Sequence, residues 1–312
     1  MRLGIAGCGR ISERGYVPAV LATPGVTIAA FADPERERLD RCREMWGRAG
    51  GGEAGGFADV AALLESAAIE LLVVAVPASA HLALAEEAAA AGVRTLVEKP
   101  PAPDLRTTER LSALDPEPFV AFNRRFLQGT ELGPAIPKDG WLELDLELRF
   151  RREAWGAHQV RDEALLDAGI HLIDLACHLS SAAPVAVRQA KLAPERAQFE
   201  LELSRGRARI SCATDRGHRE QVEVRDRAGR LLCRSAWGGL RSRLTGALGR
   251  QDPLVLSLRR QLEAALDLDG ESGSLATARD GATAMAVVEA ARRSAALDGA
   301  EVTVAPVAGA VK

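Results

Sequence analysis

From Met1 to Phe122 the sequence alternates short apolar runs with amphipathic stretches of helical length, the pattern of strands buried on both faces and joined by crossover helices. Strands are expected at Arg2–Ala6, Val26–Ala32, Leu71–Val76, Val93–Val97 and Pro118–Phe122. Helices are expected at Ile11–Ala22, Glu35–Trp46, Ala58–Ser66, Ala80–Ala91 and Leu105–Leu114. Connections of that length return the chain in one direction with right-handed crossovers, so the expected fold is α/β with an open, doubly wound parallel sheet. The stretch Gly47–Gly56 (GRAGGGEAGG) follows a helix rather than a strand and lacks a Gly-Lys-Ser/Thr ending. It reads as a flexible surface loop, not a phosphate loop.

After Phe122 the texture changes. Trp141–Arg151 reads as a strand, Glu163–Leu179 as a helix, and the segments 185–193, 197–204, 207–214, 219–226 and 230–235 as strands joined by short polar turns. Successive hairpins imply an α+β domain with a mainly antiparallel sheet. Two helices close the chain, Pro253–Leu268 and Ala276–Leu297, the second stopping at Asp298-Gly299, where a glycine can take the left-handed cap. A length of 312 residues suits two domains, and the division falls after Phe122, giving 1–122 and 123–312.

Composition narrows the partners. Apolar residues at 47% and charged residues at 27% exclude a disordered or fibrous chain, and a net charge of −3 gives no polyanion-binding excess. Residues 205 to 260 hold 14 arginines against five acidic side chains, which read as solvated sheet edges and loops. The expectation is therefore no nucleic acid and, without a long uncharged apolar run, no leader and no membrane span. Five cysteines without a C-x-x-C pair argue against disulfides and zinc and for a reducing cytoplasm. Of 40 basic residues only Lys99, Lys138, Lys191 and Lys312 are lysine.

Gly7-Cys8-Gly9-Arg10-Ile11-Ser12 follows the first strand and opens the first helix, the context in which G-x-G-x-x-G brings backbone amides and a helix N-terminus to a pyrophosphate. Ser12 stands at the third glycine position. Asp33 ends the second strand, where a carboxylate accepts from adenosine ribose hydroxyls and repels a 2′-phosphate, favouring NAD. Arg36 and Arg38 leave NADP open. Lys99, the only lysine of the first domain, falls at the carboxyl edge of the sheet. A lysine there can exchange protons or orient a substrate as arginine cannot, although an ordinary exposed lysine is the alternative.

In the second domain Asp167, His171, Asp174 and His178 fall within a sector of about 60° on one helix. Asp167, one turn before His171, can fix the imidazole tautomer so that the other ring nitrogen exchanges a proton with substrate. The alternatives are a solvated polar face and a metal site of His171, Asp174 and His178, the latter lacking a further ligand at suitable spacing.

These motifs carry a family resemblance. The Gly7-Cys8-Gly9 turn, Ala32-Asp33, Pro77 and His81 in PASAH, Glu98-Lys99-Pro100, Asn123-Arg124-Arg125-Phe126 and Asp167-x-Gly169-x-His171-x-x-Asp174 follow the order seen in the glucose-fructose oxidoreductase / inositol dehydrogenase (Gfo/Idh/MocA) family, which the chain resembles over nearly its whole length. The resemblance implies a dinucleotide-binding Rossmann domain, and a second domain that binds a carbohydrate-like small molecule and forms homo-oligomer contacts through its open sheet, as a dimer or tetramer. It implies Lys99, Asp167 and His171 as the catalytic set, and Gly7, Gly9, Arg10, Ile11, Asp33, Pro77, His81, Glu98 and Lys99 along the cofactor, with no metal. Two departures bear on the substrate. Arg161-Asp162-Glu163 replaces the usual glycines, and the segment after Phe126 (LQGTELGPAIPKDG) is short, with Gly and Pro where relatives often have a helix.

The expected activity is an NAD(P)-dependent oxidoreduction of a secondary alcohol or ketone of a sugar, cyclitol or sugar derivative. Its rivals are a redox-neutral NAD-dependent glycosidase or lyase using the same residues, and a catalytically silent dinucleotide-binding sensor. Trp141, Trp155 and Trp237 are the candidate sugar-stacking side chains of the second domain.

Overall fold

The computed structural model describes residues 1–155, 162–238, 252–268 and 274–307. The chain divides into two units, one of Met1–Asn123 and Asp252–Ala278, the other of Arg124–Gln251 and Arg279–Lys312. The first boundary lies one residue beyond the expected division, whereas the return of 252–278 to the first unit was not anticipated.

In the first unit, β1 (Arg2–Ala6), β2 (Thr27–Ala32), β3 (Gly55–Phe57), β4 (Leu71–Val74), β5 (Arg94–Val97) and β6 (Phe119–Val120) run parallel in the order β3-β2-β1-β4-β5-β6, the doubly wound dinucleotide-fold order. All four residues of β4 are fully buried, as a strand covered on both faces requires. The helices α1 (Val17–Leu21), α2 (Arg36–Arg48), α3 (Val60–Ser66), α4 (His81–Ala90) and α5 (Leu105–Ser112) make the connections. Two strands escaped the sequence pattern. Strand β3 lies at the end of the stretch read as a loop; three residues with two glycines leave no alternation to detect. The two-residue strand β13 (Ala276–Thr277) pairs antiparallel with β6. It follows α8 (Pro253–Ala265), which packs close to the first helix: a Cβ on Gly15 would come within 2.6 Å of Leu258 Cδ1.

The second unit is built on β7 (Leu142–Arg151), β8 (Pro184–Ala193), β9 (Arg196–Leu203), β10 (Gly206–Ala213), β11 (Asp215–Asp226) and β12 (Leu231–Gly238), ordered β12-β11-β7-β10-β9-β8, with β14 (Val302–Thr303) on β8. Pairing is antiparallel except between β7 and β10. Alternate residues (Leu142, Leu144, Leu146, Leu148; Ala208, Ile210, Cys212) are buried on the face that carries α7 (Ile170–Ser180). The opposite face is a ladder of ion pairs: Arg207–Glu143 (2.8 Å), Arg209–Asp145 (3.3 Å), Arg188–Glu200 (3.1 Å) and Arg219–Glu147 (2.8 Å). The segment after Phe126, expected without a helix, forms α6 (Gln128–Leu132) and a further 3₁₀ turn, Gly133–Ala135. Five residues and one turn were too few to show a helical period. The last helix, α9 (Ala278–Ala296), ends as expected, with Asp298 (φ 53°) and Gly299 (φ 84°) both left-handed. No described helix is long and apolar enough to cross a membrane.

Candidate functional site

In the first unit the sequence-predicted residues gather at the carboxyl ends of the parallel strands, where the strand order reverses between β1 and β4. Gly7 leaves β1 with φ +93°, and a Cβ there would run into the Ala75 carbonyl oxygen, so only glycine fits. Its N–H donates to Ala32 O (2.8 Å), tying the turn to β2. A Cβ on Gly9, in contrast, would meet nothing within 4 Å: the turn is open on that side, and a ligand can approach the backbone there. Ser12, fully buried at the third glycine position, donates from Oγ to Gly7 O (2.6 Å). The substitution thus braces the turn. The Cys8 thiol meets the Cys42 thiol of α2, which together with burial pushes the Cys8 pKa up.

Asp33 is 6% exposed, with Oδ2 accepting from Cys8 N (2.7 Å) and Oδ1 from Glu35 N (2.8 Å). Hydrogen bonds to a charged acceptor contribute about 1.5–3 kcal/mol, so the carboxylate locks turn and strand together while each oxygen keeps lone-pair capacity for a ribose hydroxyl. The open side of Gly9 and the fixed Asp33 carboxylate fit a dinucleotide. Arg36 is almost wholly exposed and lies 3.6 Å from Asp40. Ile11 begins the helix, and Arg10, 41% exposed, pairs with Glu13 (3.3 Å).

Pro77 opens the turn after β4. His81 is 1% exposed, with Nε2 2.9 Å from Val76 O and Nδ1 3.1 Å from Pro101 O; a neutral imidazole donates to one of these two carbonyls, and with the proton on Nδ1 it ties the start of α4 to the loop after β5. Beyond β5, half-buried Glu98 accepts from the Tyr16 hydroxyl (2.8 Å) and from Lys99 N (3.1 Å), and the Lys99–Pro100 bond is cis. Partial burial raises the Glu98 pKa, opposed by Lys99 and Tyr16.

In the second unit Asp167 and His171 straddle the junction of a π-helical turn, Leu165–Gly169, with α7. An uninterrupted α-helix offsets residues four apart by about 40°, and a π turn, being wider, takes up part of that offset. His171 is 6% exposed. Asp167 Oδ2 accepts from Arg152 Nε (3.0 Å) and Nη2 (2.7 Å). Sequence reading missed Arg152, which lies 15 residues upstream among many arginines and carries no local signal.

The polar stripe of this helix divides. Asp174 belongs to a structural ion pair: Arg125 Nε (2.9 Å) and Nη2 (2.6 Å) donate to it, and Asp280 lies 3.3 Å from the same guanidinium. His178, beside Gly129, has its pKa pushed down to about 4 by burial and by the Arg125 charge. With Asp174 3% exposed, the solvated-face alternative is excluded. Among the described residues no three His, Cys, Asp or Glu side chains are grouped as metal ligands. Of the departing segment 161–163, Arg161 lies outside the described residues. Glu163 accepts from Arg292 Nε (2.9 Å) and Nη2 (2.6 Å), and its carbonyl starts the helix by accepting from Leu166 N and Asp167 N.

Of the expected stacking residues, Trp141 lies under Arg207, whose guanidinium carbon is 5.7 Å from the ring centroid. Trp237 Nε1 donates to Ser235 Oγ (3.0 Å). The Trp155 side chain lies outside the described residues.

Residues 1–117 match the model of the GFO_IDH_MocA oxidoreductase family, NAD-binding Rossmann fold. The chain is 33% identical over 189 residues to YceM of Salmonella typhimurium, an overlap of 58% of this chain and 56% of that protein. It is 31% identical over 131 residues to inositol 2-dehydrogenase of Leifsonia xyli, covering 40% of this chain and 37% of that one. The matches thus span about half, or less, of those relatives' length. Among solved structures, myo-inositol dehydrogenase from Lactobacillus casei, in complex with NAD(H) and myo-inositol, superposes with a TM-score of 0.77 at 18% identity, covering 100% of this chain and 98% of that one. The WlbA dehydrogenase from Bordetella pertussis, in complex with NADH and UDP-GlcNAcA, gives 0.71 at 20% identity, with 98% of each chain covered. Residues 1–117 are thus similar to the NAD-binding Rossmann domain of the Gfo/Idh/MocA oxidoreductases.

Proposed function

We propose that the chain is an NAD-dependent dehydrogenase or reductase acting on a secondary alcohol or ketone of a sugar, cyclitol or sugar derivative. The observation that carries this reading is the buried His171 four residues after an Asp167 whose carboxylate Arg152 holds by two hydrogen bonds. A catalytically silent sensor needs neither group. In the oxidative direction His171 takes the hydroxyl proton, and in the reductive direction it returns a proton to the carbonyl oxygen. Asp167 holds the imidazole in one orientation and favours its charged form once the proton has arrived, while Lys99 orients the substrate oxygen. Bound nicotinamide supplies the hydride acceptor or donor. Gly7 and Gly9 bring the turn's backbone to the pyrophosphate, with Arg10 and Ile11 at the helix start beside it; Pro77, His81 and Glu98 shape the loops along the nicotinamide half. Asp33 favours NAD over NADP, because a 2′-phosphate would face its carboxylate. The inositol 2-dehydrogenase relative and the solved structures in complex with myo-inositol and UDP-GlcNAcA support the carbohydrate class. Homo-oligomer assembly belongs to the same reading, with the ion-paired face of the second sheet as its surface.

The test is NADH consumption by the purified chain over a panel of keto-sugars and oxidised cyclitols, after mass spectrometry for resident nucleotide. Turnover that requires added NADH is expected. Turnover with a resident nucleotide that never exchanges would assign redox-neutral chemistry instead, and tight binding with no turnover a sensor.

A further inference from the structure

The chain has a single tyrosine, Tyr16, and none of the roles above uses it. It closes the π-helical turn Ser12–Tyr16 that follows the glycine turn, in which the N–H of Val17 donates back five residues to Ser12 O instead of four. Tyr16 is wholly buried, yet its hydroxyl reaches the end of β5 and donates to Glu98 Oε1 (2.8 Å). The other oxygen, Oε2, accepts from the backbone N–H of Lys99 (3.1 Å), and Glu98 N–H donates to Val74 O (2.9 Å). One carboxylate therefore bridges the dinucleotide helix to the backbone from which Lys99 projects. The titratable side chains acting on it are Tyr16 and Lys99. A phenol is an economical choice for such a bridge, because it donates one hydrogen bond and fills a dry pocket without adding a second charge.

We infer that Tyr16 is a positioning residue for Lys99, acting through the Glu98 carboxylate, so that the helix opened by the glycine turn and the lysine edge of the crevice form one coupled unit. The inference rests on the dehydrogenase reading for its catalytic meaning, but its physical core does not. Loss of the hydroxyl leaves Glu98 with one donor fewer, and both its ionisation and the backbone at Lys99 lose a constraint.

Because tyrosine occurs once, the protein labelled at the hydroxyl-bearing ring carbon of tyrosine gives one magnetic-resonance signal, read against pH in the intact chain without substrate. The signal is expected to move in one step as Glu98 ionises, with its midpoint above the ordinary glutamate value of 4.5 because of burial. Glu98→Gln should abolish the step. Lys99→Met, which removes a nearby positive charge, should carry the midpoint to higher pH. A signal that does not move, a step that persists in Glu98→Gln, or a midpoint indifferent to Lys99→Met overturns the inference. In the enzyme assay Tyr16→Phe should lower kcat about tenfold with KM for NADH unchanged, whereas a residue that only fills space would leave kcat alone. An intact pH step in a chain that turns over nothing would overturn the dehydrogenase reading and leave the coupling standing; turnover without the step would do the reverse.

Discussion

Each unit carries its candidate residues beside a π-helical turn, Ser12–Tyr16 in the first and Leu165–Gly169 in the second, but the two turns serve opposite kinds of site. The first supports a surface made of backbone. Gly7 must be glycine, Gly9 opens onto empty space, and the side chains of Ser12 and Asp33 face inward to hold the turn. The second presents side chains, Asp167 and His171, and its supports are other side chains brought from far along the sequence, Arg152 to Asp167 and Arg292 to Glu163. A backbone site is damaged by adding atoms, and a side-chain site by removing them.

That contrast sets the order of the expected effects. The largest belongs to His171→Ala, which should cost about 10²–10⁴-fold in kcat with cofactor affinity unchanged; steady-state rates beside a binding isotherm measure both. Next is Gly7→Ala, where an added methyl meets the Ala75 carbonyl at φ +93°. Strain of about 1–3 kcal/mol should appear as a lower thermal midpoint and at least a tenfold weaker NAD isotherm. Smaller again, Arg152→Met leaves Asp167 without its two guanidinium bonds and should reduce kcat about 10- to 100-fold through misplacement of His171, with NAD affinity as in wild type.

The smallest effect lies outside both sites. The folded state holds His178 neutral, its pKa pushed down to about 4 from 6.5 by burial and the Arg125 charge. The unfolded chain therefore takes up the proton first, so stability present above pH 6.5 is lost progressively as pH falls through about 4. In thermal melts between those values, His178→Gln should show a flatter dependence than wild type, and an identical slope would remove His178 from the acid response.

What was legible in the sequence follows from how local each feature is. Gly7, Asp33 and the apolar runs of β1, β2 and β4 announce themselves within about 30 residues, because strand, turn and helix are consecutive. Asp167 and His171 share one helix and showed as a stripe, but the stripe could not reveal that Asp174 and His178 belong to a separate buried cluster, since their partner Arg125 lies 49 residues away from Asp174. Strands β3 and β13 are two or three residues long and have no period to read. The return of 252–278 to the first unit is a matter of tertiary packing, in which Leu258 meets a bare glycine. Arg152 was hidden by abundance, one arginine among many, whereas Lys99 and Tyr16 stand out because their residue types are scarce.

The central claim is that the first unit binds dinucleotide through backbone while the second supplies proton transfer through His171. Its most direct test is one calorimetric series, NAD titrated into the wild-type chain, Gly7→Ala and His171→Ala. The account predicts saturable binding by wild type and an unchanged isotherm for His171→Ala, with binding lost or weakened at least tenfold in Gly7→Ala. Equal binding by wild type and Gly7→Ala, or a loss of NAD affinity in His171→Ala, would contradict it.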